Sequence, residues 1–549
     1  MTFRFPAPRA SIAAFLIRTL AALTAGVLLP GCLKRETPVD QGIREQVLHR
    51  GIGSEVSDLD PQTAMNIAEV DLASALFEGL VAEDPVDLHP VPGIAARWSV
   101  ASDLLTYTFY LRPEAKWSNG DPLTAADIIA AWQRILTPSL GAENAGMLYV
   151  VQGAEAFHKG ATKSFSQVGV TAPDAHTLRV TLEHPTPYFL SLLTHPAWYP
   201  VPLKVIAEKG DAYARGNAWT RPGAHVSNGP FRLKSWQPNR LIVVEKSPTY
   251  WDAARVRLNA VHFHPIESIE SEERTFRAGQ LHLTYALPFG KVDAYRRNSP
   301  QLLRIDPYLN SYFFRFNTRH APLNNERVRR ALSLAIDRAT IVEKVLRGGQ
   351  LPATSLTPPG LPDYTPPDVV RSDPEAARAL LAEAGFPGGK GLPALEILFN
   401  TSGNHRLIAE TIQEMWRREL GLEVKMMNQE FKVVLAERRA GRFQILLSDW
   451  VGDYLDATTF LDLWRSDSGN NHTGWSNSEY DALLFTAARN ADPATRAQQL
   501  QRAETIMLNA APVVPIYFNT HVFLLHPSVK GWNSTLLDHH PYKHVWLEP

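Results

Sequence analysis

At 549 residues the chain is too long for one ordinary domain, so two or three lobes, each with its own core, are expected. Its 55 basic residues nearly balance 56 acidic ones without a basic stripe or acidic tail, which argues against a nucleic-acid binder. A hydrophobic share of 45% with 20% charged residues suits a globular protein, and the single cysteine, Cys32, excludes an internal disulfide or a cysteine-based metal site.

Arg4, Arg9 and Arg18 precede the apolar run "TLAALTAGVLLPGC". This is the charged n-region and short h-region of an export signal, too short before Cys32 for a comfortable membrane span. Leu29-Pro30-Gly31-Cys32 resembles the end of a bacterial lipoprotein signal, where the cysteine is diacylated and becomes the new N-terminus, although Pro30 replaces the usual small residue. Residues 1–32 are therefore expected to be a lipoprotein signal peptide and the polar residues 33–45 a tether.

Further on, "LTYTFYLRPEAKWSNG" alternates Tyr107, Phe109 and Leu111 with polar or half-polar neighbours, predicting a half-buried strand that turns at Asn119-Gly120. Thr124 with Asp127 three residues on predicts the start of a helix over "LTAADIIAAWQRIL". "LRVTLEHPTPYFLSLL" predicts a strand, then an apolar helix after Pro187, and "GPFRLKSWQPNRLIVVEK" predicts a hairpin turning at Pro238-Asn239. In the second half, "NNERVRRALSLAIDRATIVEKVLRGG" predicts one helix through Val328, Ala331, Leu332, Ala335 and Ile336. Asp373-Pro374 and Asp492-Pro493 mark two further helix starts. Strands lie between them, so the lobes read as α/β. Two similar apolar strands, 311–318 and 513–520, bracket this half and would make a two-strand hinge if both cross between lobes.

The stretch "FQILLSDWVGDYLDATTF" runs a strand into Asp449, Asp453 and Asp456, interleaved with Trp450 and Tyr454. No H-E-x-x-H, G-x-S-x-G or metal-spaced histidine cluster is present. "GFPGGKG" lacks the spacing and the Ser or Thr of a phosphate loop, and His539-His540 reads as a solvated or turn pair. The three aspartates do not fit an EF-hand. A glycosidase-like acid pair, turn-capping roles, and a pocket for a cationic, partly apolar group stay open. The last is coherent for a free peptide: a buried α-ammonium needs a carboxylate partner, and an adjacent strand edge can pair with the peptide backbone whatever its side chains.

Taken in order, "GSEVSDLDPQ", "LFEGLVAEDP", "VPGIAARW", "YTFYLRPEAKWSNGDPLTAADIIAAWQRI", "SNGPFRLKSW", "APLNNERVRRALSLAIDR", "FNTSGNH" and "DWVGDY" resemble the oligopeptide-binding proteins that feed peptide ABC importers, solute-binding protein family 5. The resemblance runs from about residue 46 to the C-terminus. It implies an α/β, bilobal periplasmic-binding-protein fold of the class II type, with three domains and two hinge strands. Lobe 1 would comprise residues 46–78, 206–305 and 520–549, with an inserted domain at 79–205; lobe 2 would be 306–519. By position, Asp453 would salt-bridge the peptide α-amino group, with Trp450 and Val451 as the facing strand edge and Ile67 as a backbone-pairing position opposite. Tyr285, Tyr308, Tyr312 and Tyr517 would line the cleft; Asn400, His405 and Arg438 would shape side-chain pockets or meet the peptide carboxylate.

Two positions depart from the family pattern: Leu447 stands where relatives can carry an arginine for the peptide C-terminus, and Asn144 where a pocket tyrosine is common. The implied protein is a monomeric receptor, not an enzyme, without cofactor or metal. It would be lipid-anchored at Cys32 in the periplasm or at the cell surface, passing oligopeptides to permease subunits. The fold alone leaves open a sugar, opine or metal chelate as ligand, and the residues alone leave open an exported carboxylate-dependent hydrolase.

Overall fold

The computed structural model describes residues 1–3, 36–401 and 403–549. Cys32 and the rest of the export signal lie outside the described residues, and among those described no helix is long and apolar enough to cross a membrane. The tether expected at 33–45 is corrected in its second half, where helix α1 spans Pro38–Glu45. Thr37 and Asp40 form a capping box, each taking the other's backbone N–H at 3.1 Å, and Val39 and Gly42 are buried against the lobe.

Strand β1 (Val47–Gly51) and helix α2 (Ile67–Leu76, capped by Asn66) open lobe 1. The chain then enters a four-stranded antiparallel sheet made of β2 (Ala95–Val100), β3 (Thr106–Leu111), β4 (Val170–Asp174) and β5 (Thr177–Thr181), in the order β2-β3-β5-β4. The alternation read in β3 is real: Tyr107, Phe109 and Leu111 are buried. Helix α3 (Ala125–Leu136) begins at Thr124, whose hydroxyl donates to Asp127 Oδ2 at 2.7 Å. The same helix carries Arg134, fully buried and held by Asp60 and Gln62, both at 2.7 Å.

The return path makes β6 (Phe231–Gln237) and β7 (Leu241–Lys246), a hairpin whose turn residue Asn239 has φ 57°, and β8 (Ala260–His264). These build the sheet β1-β8-β7-β6, with β1 parallel to β8. One continuous apolar core, from Leu48 through Phe109, Trp132 and Trp198 to Phe263, joins both sheets and recruits Phe523, Leu525 and Tyr542 from the C-terminal tail.

Lobe 2 is one six-stranded sheet with helices on both faces. Its strands are β9 (Leu303–Phe316), β10 (Leu351–Pro352), β11 (Leu395–Asn400), β12 (Val424–Gln429), β13 (Ile445–Val451) and β14 (Val513–Leu524), ordered β10-β14-β9-β13-β11-β12. Phe314, Phe316 and Ile516 face one apolar layer, Phe313 and Val513 the other, as strand alternation requires. The single helix expected over 324–349 is broken after Leu334. Asp337 accepts the Thr340 N–H at 3.0 Å and starts a new helical turn, so a local cap overrides the continuous apolar stripe.

β9 and β14 both run from lobe 1 into lobe 2. At the lobe 1 end, Leu525 N–H donates to Leu302 and Thr284 N–H to Leu524, while in lobe 2 Arg315 pairs with Val513. Pairing is interrupted between Pro307 opposite Thr520 and Ser311 opposite Phe518. Such an irregularity removes ladder bonds where two crossing strands must bend. The lobes also touch away from these strands, where Tyr188 of the inserted segment stacks on Tyr454 of lobe 2 with ring centres 5.4 Å apart and planes 6° apart. Arg496 lies 5.3 Å from the Tyr188 ring centre.

Candidate functional site

The open edge of β13 is the frame of the site. β11 pairs with β13 only at Ile445 and Leu446, leaving residues 447–451 without a neighbour on that side. On the other side Gly452 N–H donates to Leu309 C=O at 2.7 Å, flanking the pair Asn310–Val451. That makes Asn310–Val451 a non-hydrogen-bonded pair, so Val451 turns its own N–H and C=O away from β9, toward the open edge. By alternation Asp449, opposite Tyr312, does the same. Trp450 between them is half-buried, with its indole N–H sealed and unpartnered.

The three aspartates separate by partner. Asp456 is buried, meets Arg496 through two 2.8 Å contacts and accepts the Thr458 N–H at 3.0 Å. Asp449 is exposed and accepts from Asn310 Nδ2 at 3.0 Å. Among the described residues no cation pairs with Asp453. Partly accessible, its carboxyl is pushed up to about 6 by burial, with only Thr459 working in the other direction. Asp462 is also raised to about 6 by burial, but Arg465 and Arg496 stand near enough to favour its charge.

The remaining residues singled out in the sequence fall into two groups. Tyr312 stacks on Tyr517 at 4.6 Å and lies 5.6 Å from His405, whose Nδ1 sits 2.8 Å from Asn400 Oδ1. This group gathers beside Asp449, since β9 sets Tyr312 between Asp449 on one side and Tyr517 on the other. Tyr285 and Tyr308 form a second group around His521, 6.0 and 6.3 Å from its ring. Glu272 holds the Tyr285 backbone N–H at 2.9 Å, and His521 is fixed by Asp538 at 2.8 Å.

Arg438 is half-buried, and its Nε is sealed without a partner; burial first, then Arg439, makes its charge harder to keep. It shares this environment with Arg315, a residue that sequence reasoning missed. Arg315 is 1% exposed, donates to the Asn470 carbonyl at 2.7 Å and packs 4.6 Å from the Trp464 ring centre, again with Nε unpartnered. The available signal was an arginine inside the apolar run "SYFFRFN".

Ile67 is the first residue of α2, 39% exposed, with its N–H free of the helix ladder. Asn66 caps that helix by taking the Glu69 N–H at 3.0 Å. One expectation is corrected here: the His539-His540 pair is not solvated. His539 lies 2.9 Å from Glu83 and His540 3.0 Å from Asp538; although burial opposes it, Glu83 raises the His539 pKa to about 9. Of the two departures, Leu447 is buried among lobe 2 apolar side chains, and Asn144 donates to the Ala64 carbonyl at 3.4 Å, behind the start of α2.

Residues 89–472 match the family model described as "Bacterial extracellular solute-binding proteins, family 5 Middle". The chain is 36% identical over 523 residues to the periplasmic oligopeptide-binding protein OppA of Salmonella typhimurium strain LT2, covering 93% of this chain and 94% of that protein. Among solved structures it is similar to the Escherichia coli murein tripeptide binding protein MppA, with TM-score 0.80, 34% identity, and 91% and 98% of the two chains covered. It is also similar to Haemophilus influenzae OppA in complex with RPPGFSPFR, with TM-score 0.79, 32% identity and coverage of 92% and 99%. The chain belongs to family 5 of the bacterial extracellular solute-binding proteins and carries their bilobal periplasmic-binding-protein fold.

Proposed function

We propose that this chain is an extracytoplasmic receptor that closes two lobes around an extended oligopeptide and delivers it to an ABC permease. The observation that carries the reading is Asp453, a buried carboxylate that no cation among the described residues pairs, just past the end of an unpaired strand edge. A peptide laid along β13 would pair its backbone with Asp449 and Val451 and bring its α-ammonium to Asp453, supplying the missing charge. From Asp453 to Asp449 the strand advances about 13 Å, at about 3.3 Å per residue. The unpartnered nitrogens of Arg315 and Arg438, electrostatically coupled to one another, suit a carboxylate near that far end. Peptides of three or four residues fit this span.

The mechanism is a population shift. A ligand that contacts β13 on one lobe and the Tyr285 side on the other does so only when the lobes are shut, so its binding energy favours closure. Affinity near micromolar, about −8 kcal/mol, suffices for capture and still permits release. Attachment through a lipid on Cys32 would keep the receptor beside its permease, and a monomer is sufficient for both steps. The carboxylate pair that would resemble a hydrolase's is divided, Asp456 being held by Arg496.

Native mass spectrometry of freshly purified protein tests the assignment. A ladder of bound short peptides is expected. A single discrete non-peptide mass would contradict it in favour of another solute, and substrate turnover would contradict the receptor role.

A further inference from the structure

The two faces of the β9–β13 pair that border the open edge differ in charge. Opposite residues of an antiparallel pair share a face. Tyr312 and Asp449 lie on one, the face that also meets Tyr517 and His405. Ser311 with Trp450, Phe313 with Ser448 and Arg315 with Leu446 lie on the other. The helix Phe431–Ala440 covers this second face, since Val434 packs with Leu446 in one small apolar cluster, and its last turn carries Arg438 and Arg439.

Residues 470–474 close over the same region. Arg315 donates to the Asn470 carbonyl at 2.7 Å, and Arg319 lies so near Gly474 that a Cβ there would stand 2.6 Å from its Nε. A Cβ on Gly441, just past the helix, would stand 3.7 Å from Arg319 Nη1. Burial first, then Arg315, Arg438, Arg439 and Arg319, lowers the His472 pKa to about 4. Among the described residues none of these four arginines has an ion pair, whereas Arg442 close by is held by Glu437 at 2.7 Å. Arg315 is 1% exposed and packs against Trp464 and Phe313. Positive charge gathered beside apolar walls is costly until an anion completes it.

A peptide paired with Val451 and Asp449 would set the residue between those contacts opposite Trp450. Its side chain would enter the Trp450 face, and the side chains of its two neighbours the Tyr312 face. Resting on the peptide-receptor reading, we propose that this chain prefers short peptides with an acidic side chain at the residue facing Trp450, its carboxylate received by Arg438 with the charge of Arg315 behind. Arg438 is the half-buried, reachable member of the group, and its guanidinium can meet a carboxylate through two parallel N–H donors. Arg315, Arg438 and Trp450 come from three separate segments, so no sequence spacing could display the pocket.

Calorimetric titration with tetra-alanine, and with Glu or Gln placed at each position in turn, tests it. Glu should bind at least roughly tenfold tighter than Gln at one position and about equally at that position's neighbours. Amidation of the peptide C-terminus should leave the ratio unchanged, because a side chain is being read. Arg438→Gln and Arg315→Met should each bring the ratio to about one, and Arg438→Lys should keep part of it. Should Arg315→Met fail to fold, Arg438→Gln on the half-buried end of its helix still decides. Arg442→Gln should leave the ratio as in the parent. A ratio near one at every position, a ratio lost on amidation, equal ratios at adjacent positions, or a ratio that survives Arg438→Gln would overturn the proposal and leave the receptor reading standing. Failure of every peptide to bind would overturn both.

Discussion

Asp456 meets Arg496 through two buried contacts, whereas Asp453, three residues earlier, meets no cation among the described residues. Removing one partner of a buried pair strands the other, so Asp456→Ala should cost about 3–5 kcal/mol in urea denaturation. Its effect on peptide affinity should be small by comparison. Asp453 predicts a pH dependence instead. Its folded value of about 6 is raised by burial above the ordinary carboxylate range, so the empty folded chain holds a proton that the unfolded chain has already lost. The contribution of Asp453 to the stability of the empty protein is therefore present below about pH 4 and lost as pH rises through about 6. Peptide binding runs the other way, because it needs the anion. Calorimetric affinity should fall as pH drops below about 6, and fall again above about 8, where the peptide amine loses its proton. The acidic limb should vanish in Asp453→Asn. What the residues themselves showed was an acid cluster with three open readings; the family resemblance singled out Asp453. The division of labour among the aspartates depends on Arg496, forty residues downstream, and no spacing rule reports it.

Strand β13 turns the carboxylate into a recognition surface, because its edge beyond Leu446 is unpaired and Val451 faces outward. Val451→Pro removes one N–H that no internal bond uses, so the fold should tolerate it. Peptide affinity should drop by roughly tenfold, equally for peptides with different side chains, since a backbone contact is lost. A loss confined to one peptide sequence would argue for a side-chain pocket there. At this scale much of the chain was legible. The period-2 pattern of β3, the hairpin turning at Asn239 and the capped start of α3 all follow from local chemistry. The misreadings were also local. Asp337 broke an apolar stripe, and Thr37 and Asp40 folded half of an expected tether. In each case a short polar side chain satisfied a helix N-terminus that hydrophobic pattern alone does not register.

In the whole molecule, β9 and β14 are the crossing strands, readable in advance because two similar apolar runs bracket lobe 2. Their interrupted pairing near Pro307 and Thr520 gives the bend a place. One contact that joins the lobes away from these strands, Tyr188 on Tyr454, had no sequence signal, since its partners lie in different lobes. An aromatic pair of this kind contributes about 0.5–1.5 kcal/mol beyond burial, so Tyr188→Ala should weaken peptide binding roughly two- to tenfold without touching the ligand. Small-angle scattering should show the empty variant more open than the parent. Closure, strand edge and carboxylate converge on one claim: a free peptide ammonium is neutralised at Asp453. The direct measurement is calorimetric titration of the parent and of Asp453→Asn with one tripeptide, amine-free and N-acetylated. The parent should bind the free peptide and not the acetylated one, and Asp453→Asn should lose at least a hundredfold, the equivalent of about 3 kcal/mol. Equal affinity for both peptides, or an Asp453→Asn variant that binds as tightly as the parent, would contradict the account.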